Sequence, residues 1–199
     1  MKTLLQIKTS LFRDGQSSRL ADAFVERWRI ANPDGEVIVR NLTTDPVPHL
    51  TAERFGAFVT AAAERTPSQV EAVAYSDALI DELVRADAIV LGLPMYNFGI
   101  PSTLKAYFDH VARSGITFRY TEQGPEGLLA GKRVFVFAAR GGVYTGTPLD
   151  TQTDYVRNFL GFLGMADVEF VYAEGLAINE ERKDRAIEEA HRAAHALAL

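Results

Sequence analysis

Short apolar runs alternate with helical patterns along the chain. The strand-like runs are rich in β-branched and apolar residues and lie at 3–7, 36–39, 88–93, 134–138 and 168–172. Because helical spacing separates these runs, the pattern predicts a mostly parallel sheet that is covered by helices on both faces.

Apolar residues recur every three or four positions in four further segments, as on the buried face of an amphipathic helix. These stripes are Leu20, Ala21, Phe24, Val25 and Trp28; Leu104, Tyr107, Phe108 and Val111; Val156, Phe159, Leu160 and Leu163; and Ile187, Ala190, Ala194 and Leu197. Residues 51–85 are also helical in pattern, with a break at Thr66-Pro67 where proline favours a helix start. Right-handed crossovers then favour a flavodoxin-like three-layer α/β sandwich with five parallel strands in the order 2-1-3-4-5.

One segment departs from this alternation. Residues 116–133 contain a strand-like run, ITFRYT, followed by GPEG, which has the composition of a turn. The segment lies between a predicted helix and the fourth strand, so we expect an excursion at the rim of the functional site.

Composition narrows the class of protein. The 199 residues predict one domain, 1–199, and 47% apolar with 24% charged residues is typical of a globular protein. The net charge of −5 argues against nucleic acid or an acidic membrane surface as partners. Because the chain has no cysteine, redox chemistry requires a cofactor. Gln6 and Lys8 interrupt the first apolar run too early for a signal peptide, which predicts a cytoplasmic protein.

Ligands of open α/β sheets bind outside the carboxyl ends of the strands, which directs attention to three loops. The first, 9–18, runs into the first helix and contains Ser10, Ser17 and Ser18. Backbone N–H groups at a helix N-terminus, with the helix dipole behind them, suit a phosphate. The alternative is that Ser17 or Ser18 only caps the helix.

The loop after the third strand, 92–101, is apolar and aromatic around a single amide. Met95, Tyr96 and Phe98 can cover a flat ring while Asn97 hydrogen-bonds the polar edge of that ring. The alternative is a buried loop that packs on the core.

After the fourth strand, Ala139 and Arg140 lead into Gly141 and Gly142. Paired glycines let backbone N–H groups approach a ligand, and donors there would stabilise the charge on the pyrimidine side of a reduced flavin. The alternative is a plain turn. Together the three loops predict a phosphate site, a ring cover and a pyrimidine-edge site in one crevice.

The segments PMYNFGIPSTLKAYFDHVARSGITFRYTEQGPEGLLAGKR and ARGGVYTGTPLDTQTDYVRNFLGFLG resemble the FMN-dependent NADH azoreductases. The similarity extends to the first loop and to AEGLA at 173–177, and so covers nearly the whole chain. It implies a homodimer in which FMN takes a hydride from NADH and passes two electrons to an azo compound or quinone in a ping-pong cycle. No catalytic side chain is implied, because the chemistry belongs to the flavin.

The resemblance also implies the positions that hold FMN. The phosphate and ribityl end would contact Ser10, Gln16, Ser17 and Ser18; the isoalloxazine would contact Met95, Tyr96, Asn97 and Phe98; and its pyrimidine edge would meet Ala139, Arg140, Gly141 and Gly142. Gln16 and Ala139 stand where the family often has hydroxyl residues. The hydroxyl is therefore lost at Gln16, whose backbone N–H can still donate, and Ala139 offers no side-chain hydrogen bond. Tyr120 and Phe162 are expected to line the acceptor pocket, with a core position as the alternative for Phe162.

Several other interpretations stay open. A flavodoxin-type electron carrier with a protein partner is the main rival, although the excursion at 116–133 favours a small-molecule pocket. A flavin-free signalling module would need acidic residues where strand one ends in Lys8-Thr9-Ser10. His191 and His195 share a helical face, but neighbouring alanines favour solvated histidines over metal ligands. The donor is open between NADH and NADPH, because Arg13, Arg19 and Arg140 each suit a phosphate.

Overall fold

The computed structural model describes residues 2–198, so Met1 and Leu199 of the predicted 1–199 domain lie outside the described residues. Its strands are β1 (Thr3–Lys8), β2 (Glu36–Asn41), β3 (Ala88–Pro94), β4 (Phe118–Thr121), β5 (Gly124–Gly127), β6 (Arg133–Ala139) and β7 (Asp167–Ala173). The main sheet is parallel, in the order β2-β1-β3-β6-β7. The predicted order 2-1-3-4-5 is confirmed, since β6 and β7 are the fourth and fifth strands of this sheet.

The helices of the described residues follow the predicted stripes. They are α1 (Gln16–Ala31), α2 (Ala52–Val59), α3 (Pro67–Arg85), α4 (Ser102–Val111), α5 (Thr153–Phe162) and α6 (Glu180–Ala196), with a short 3-10 helix at Ala62–Glu64. The predicted break at Thr66-Pro67 is confirmed, because Thr66 and Gln69 form a capping box and Pro67 occupies the first turn of α3. Between residues 2 and 198, no helix has both the length and the apolar character needed to cross a bilayer.

The core lies in two layers, one on each face of the sheet. Helices α3, α4 and α5 pack on one face, where Leu5, Ile89 and Leu91 point from the strands. Helices α1 and α6 cover the other face, where the ring centroids of Phe24 and Phe135 are 4.7 Å apart. Alternate residues of one strand therefore serve opposite layers, which is the three-layer sandwich.

The excursion forms an antiparallel hairpin, β4 with β5. The prediction of a turn at GPEG is wrong, because Gly124–Gly127 is itself strand β5 and Pro125 pairs with Tyr120 across the ladder. The hairpin docks on the end of α5, where the rings of Phe118 and Phe162 are 4.3 Å apart. Gly127 lies so close to this helix end that a Cβ there would be 1.9 Å from the nitrogen of Gly164.

Charged side chains lie along both outer strands of the main sheet. On β2, Glu36 pairs with Arg85 at 2.9 Å, and Arg40 pairs with Glu82. On β7, Glu169 pairs with Arg133 at 2.6 Å. Each open edge therefore carries ion pairs to the neighbouring helix or strand.

Candidate functional site

The three predicted loops meet at the carboxyl edge of the sheet. The Tyr96 hydroxyl accepts a hydrogen bond from the backbone N–H of Leu11 at 3.0 Å. The backbone N–H of Met95 donates to the carbonyl of Ala139 at 3.1 Å. The loop after β3 is therefore joined directly to both of the other loops, as strand topology predicts.

The first loop delivers two buried serines to the start of α1. Gly15 is the N-cap and no side chain caps the helix, so the capping alternative for Ser17 and Ser18 is wrong. Ser17 and Ser18 are 1% and 5% exposed, and the Ser17 hydroxyl has no hydrogen-bond partner within the described residues. Because the first N–H groups of a helix have no intrahelical acceptor, this end offers an unpaired hydroxyl next to free amides.

Ser10 lies beside the same helix start. Its hydroxyl accepts a hydrogen bond from the N–H of Phe12 at 3.2 Å. A Cβ on Gly15 would lie 2.1 Å from this hydroxyl oxygen, so the space beside the helix start depends on glycine. Ser10, Gln16, Ser17 and Ser18 are thus brought together as the sequence predicts.

The second loop contains a tight turn, Tyr96–Gly99. Tyr96 and Gly99 exchange backbone hydrogen bonds of 3.1 and 3.0 Å, while Asn97 and Phe98 have positive φ angles of 49° and 62°. A left-handed conformation costs most residues other than glycine about 1–2 kcal/mol, but asparagine adopts it more readily, so the strain falls mainly on Phe98. Such strain persists only where the surroundings fix it, and it is concentrated at functional sites. The sequence carried no sign of this strain.

Two clefts of about 270 Å³ each flank this turn. The first is lined by Leu11, Tyr96, Asn97, Ile100, Pro101, Ser102 and Thr103. The second is lined by Met95, Asn97, Phe98, Gly141 and Tyr144. Asn97 borders both clefts, and the second cleft brings residues predicted to cover the ring together with a residue predicted to meet its pyrimidine edge.

The third loop is held by the segment after β7. The carbonyls of Gly141 and Gly142 accept hydrogen bonds from the N–H groups of Ala177 and Gly175 at 3.0 and 2.8 Å. The N–H of Arg140 donates to the carbonyl of Ala173 at 2.9 Å. Since these groups are occupied, the loop can offer a ligand the N–H groups of Gly141 and Gly142.

The Arg140 side chain has a different role from the one considered above. It is fully buried, and its guanidinium pairs with Asp150 at 2.9 Å and with Glu174 at 3.0 Å. It is therefore not free to hold the extra phosphate of NADPH, which corrects that interpretation for Arg140. Burial alone would raise the pKa of Asp150, but hydrogen bonds from Arg140 and Thr153 lower the pKa of this carboxyl below its ordinary value.

Glu174 completes this network and was missed by sequence reasoning. Its carboxylate accepts hydrogen bonds from the backbone N–H groups of Tyr144 and Thr145, both at 3.0 Å, as well as from Arg140. The loop that follows β6 is thus fixed by one buried arginine and two carboxylates. No local pattern marks Glu174, apart from its place in AEGLA.

The two residues predicted for the acceptor pocket lie on the docked hairpin and on α5. Tyr120 is 73% exposed, and Phe162 is half-buried against Phe118. Neither lines the two clefts around the Tyr96–Gly99 turn. Their role in an acceptor pocket stays a prediction.

The sheet order and the loops at its carboxyl edge define a protein of the flavodoxin-like class. In agreement, a family model described as a flavodoxin-like fold matches residues 1–198. Over 94% of this chain and 93% of the relative, the sequence is 59% identical to an FMN-dependent NADH:quinone oxidoreductase of Cellvibrio japonicus. The chain belongs to this family of flavodoxin-like FMN-dependent oxidoreductases.

Solved structures agree with this assignment. An azoreductase from Bacillus anthracis superimposes with a TM-score of 0.88 at 30% identity, over 99% of this chain and all of that one. An FMN-dependent NADH-azoreductase from the same species, in complex with FMN, gives a TM-score of 0.88 at 28% identity, with both chains fully covered. The resemblance to azoreductases is confirmed.

Proposed function

We propose that this protein is an FMN-dependent NADH oxidoreductase that reduces quinones and azo compounds. The observation that carries the proposal is the meeting of the three loops around the Tyr96–Gly99 turn, with an unpaired buried hydroxyl at the start of α1. The names of the relatives support the same activity, and support an enzyme over a flavodoxin-type electron carrier.

The residues at the start of α1 fit the phosphate end of FMN. The Ser17 hydroxyl is buried without a protein partner, and an unpaired buried hydroxyl destabilises a fold unless a ligand satisfies it. Ser10 and Ser18 lie at the same helix end, where the dipole favours an anion. Gln16 supplies a backbone N–H there.

The other two loops fit the ring. Met95, Phe98 and Tyr96 supply apolar and aromatic surface, and Asn97 supplies an amide at the border of both clefts. The N–H groups of Gly141 and Gly142 suit the pyrimidine edge. Arg140 has its side chain, N–H and carbonyl bonded within the protein, and the carbonyl of Ala139 is bonded to Met95. When bound, FMN supplies the two-electron chemistry; the protein binds it, orients it and excludes water.

The proposed enzyme is a homodimer that uses NADH as its electron donor. We place Tyr120 and Phe162 at the acceptor pocket of a homodimer, as the family resemblance implies; they lie on the β4–β5 hairpin and at the end of α5, outside the two clefts. NADH is the proposed donor, and a cytoplasmic location agrees with its use. Arg13 and Arg19 remain as candidates to bind the extra phosphate of NADPH.

The central experiment is an absorption spectrum of the purified protein with FMN, followed by addition of NADH and then of a quinone or azo dye. We expect a bound flavin spectrum that NADH bleaches and either acceptor restores. A protein that stays colourless in excess FMN, with an unchanged melting temperature, would refute the proposal. Bound flavin that NADH does not reduce would instead favour the electron carrier.

Replacing Ser17 by alanine tests the phosphate site. The hydroxyl has no protein partner, so its loss should leave the stability of the FMN-free protein unchanged or slightly higher. A hydrogen bond to a charged phosphate contributes about 1.5–3 kcal/mol, so the Kd for FMN should rise by about tenfold or more. Fluorescence titration of FMN measures this change.

Ser76→Ala is the matched control for Ser17→Ala. Ser76 is also fully buried, but its hydroxyl donates to the carbonyl of His110 at 2.6 Å. These two residues lie on α3 and α4, outside the three loops. This control should lower stability and leave the Kd for FMN unchanged. If Ser17→Ala also leaves the Kd for FMN unchanged, the phosphate site is elsewhere.

Asn97 is tested by two substitutions that separate backbone from side chain. Glycine removes the amide but adopts the left-handed φ of 49° without strain, whereas alanine removes the amide and keeps the strain. If the amide bonds the flavin, both variants should lose about 0.5–1.5 kcal/mol of FMN binding, measured as the change in Kd. Normal binding by Asn97→Gly would remove the amide from the site.

A further inference from the structure

The Met95–Gly99 segment is held from behind by the start of α5. The side chain of Gln152 is fully buried, and its Nε2 donates hydrogen bonds to the carbonyl of Pro94 at 2.8 Å and to that of Gly99 at 3.0 Å. Thr151, one residue earlier, donates from its hydroxyl to the carbonyl of Phe98. A single amide therefore ties the two ends of the segment together.

The orientation of this amide is fixed by its neighbours. Both N–H bonds of Nε2 face carbonyl oxygens, and a flipped amide would place its own oxygen against them. The Gln152 oxygen has no hydrogen-bond partner among the described residues. Gln152 is also the N-cap residue of α5, yet its side chain makes no capping bond. What this residue contributes is therefore its two donors to the segment, and not a cap.

The segment needs such support because of its backbone conformation. Asn97 and Phe98 both have positive φ, and the turn itself closes with only the hydrogen bonds between Tyr96 and Gly99. The carbonyl of Gly99 accepts from Tyr96 and from Gln152 at once. Since left-handed residues persist only where the surroundings over-determine them, the Gln152 donors are well placed to do so.

We propose that Gln152 is a positioning residue for the flavin, which holds the Tyr96–Gly99 turn in the conformation that presents Asn97 and Phe98 to the ring. Only the effect of Gln152 on the flavin rests on the proposed function; its support of the turn does not. Gln152 acts through the turn and need not touch the ring. The order of the turn and the binding of FMN are therefore separate consequences, each with its own measurement.

The test compares Gln152→Met with Gln6→Met in the full chain. Methionine has a similar volume but no donor, so Gln152→Met removes both hydrogen bonds to the turn and also the unpaired oxygen. Gln6, on β1, is also a buried glutamine, 3% exposed. Its Nε2 donates to the carboxylate of Asp22, on α1, at 2.6 Å. The control therefore makes the same chemical change away from the turn.

The first measurement is amide hydrogen exchange in the FMN-free protein. The N–H of Gly99, which bonds the carbonyl of Tyr96, should exchange about tenfold faster in Gln152→Met than in the wild type, because the turn opens more often. Gln6→Met should leave this exchange rate unchanged. An unchanged rate in Gln152→Met would overturn the positioning role, whatever the flavin does.

The second measurement is the binding and spectrum of FMN. Gln152→Met should raise the Kd for FMN by about tenfold and alter the visible circular dichroism of the bound flavin, whereas Gln6→Met should do neither. Faster exchange at Gly99 in a protein that never binds FMN would refute the proposed function and leave the support of the turn intact. Faster exchange with unchanged Kd and spectrum would overturn the role toward the flavin.

Thr151→Val gives a second route if Gln152→Met does not fold. Thr151 is exposed, so the substitution removes its hydrogen bond to Phe98 without opening the core. The exchange of the Gly99 amide should rise by about threefold, as expected for the loss of a single exposed hydrogen bond. No change in exchange in this variant would contradict the proposal that the start of α5 holds the turn.

Discussion

Replacing Arg140 by methionine is expected to lower the free energy of unfolding by about 3–5 kcal/mol, the usual result of removing one member of a buried ionic network. Arg140 is fully buried, and its partners Asp150 and Glu174 have side chains that are only 8% and 13% exposed. The substitution leaves both carboxylates without their cation. Urea unfolding of the FMN-free protein at pH 7 measures the loss.

The pH dependence of this loss follows from Asp150. In the wild type its pKa is lowered, so its contribution to stability is present at neutral pH and is lost as pH falls through the folded pKa. Without Arg140, the pKa of Asp150 loses its largest lowering contribution, so this carboxyl contributes less to stability in the variant. The gap between wild type and Arg140→Met should therefore stay constant while the pH is above the ordinary pKa of an aspartate, about 3.9, and should shrink as the pH falls below it.

Arg133→Met is the matched control for Arg140→Met. Arg133 also pairs with two carboxylates, Glu169 at 2.6 Å and Asp167 at 3.5 Å, but its side chain is 38% exposed. Exposed ion pairs contribute about 1 kcal/mol or less. Equal losses in the two variants would show that burial of the Arg140 network has no special effect.

Replacing Gly127 by alanine is the second substitution with a large expected effect. The new Cβ would lie 1.9 Å from the nitrogen of Gly164 and 2.2 Å from the carbonyl carbon of Leu163. Both are backbone atoms, so no side chain can move aside and the hairpin must separate from the end of α5. Overpacking of this kind costs about 1–3 kcal/mol, which thermal unfolding detects.

Gly161→Ala, in the helix on which the hairpin docks, is expected to change the stability in the opposite direction. Gly161 lies in α5, and a Cβ there would meet no atom within 4 Å. Alanine is favoured over glycine inside a helix by about 0.5–1 kcal/mol, so this variant should be slightly more stable. The N–H of Leu129 donates to the carbonyl of Leu163 at 2.8 Å. The amide hydrogen of Leu129 should exchange faster with solvent in Gly127→Ala but not in Gly161→Ala. A Gly127→Ala protein as stable as the wild type would contradict the docking geometry.

The main sheet was predictable because each of its strands contains a short run of β-branched or apolar residues. The first strand was predicted at 3–7 and is observed at Thr3–Lys8, and the fourth was predicted at 134–138 and is observed at Arg133–Ala139. The strand β5 was not predictable, because glycine and proline normally indicate a turn. Proline is tolerated there since β5 has a single partner strand, so one side of its backbone needs no ladder hydrogen bond.

The site was predictable as a set of loops but not as a set of contacts. Strand order places Ser17, Asn97 and Gly141 at one edge, whatever their side chains do. The burial of Arg140 depends on Glu174, which lies 34 positions away, and the support of the turn depends on Gln152, which lies 58 positions from Pro94. Such pairings arise only when distant segments fold together, and neither leaves a local pattern.

The ion pairs along β2 and β7 bear on how copies of this protein behave when they crowd together. An unprotected outer strand is a template on which another molecule can add a strand and start a fibril. A strand from a second molecule would meet the Glu36–Arg85 pair at β2 or the Glu169–Arg133 pair at β7. It would have to desolvate these charges and break their ion pairs. The charges on the two outer strands thus disfavour aggregation, while the loops at the carboxyl edge stay accessible to ligands.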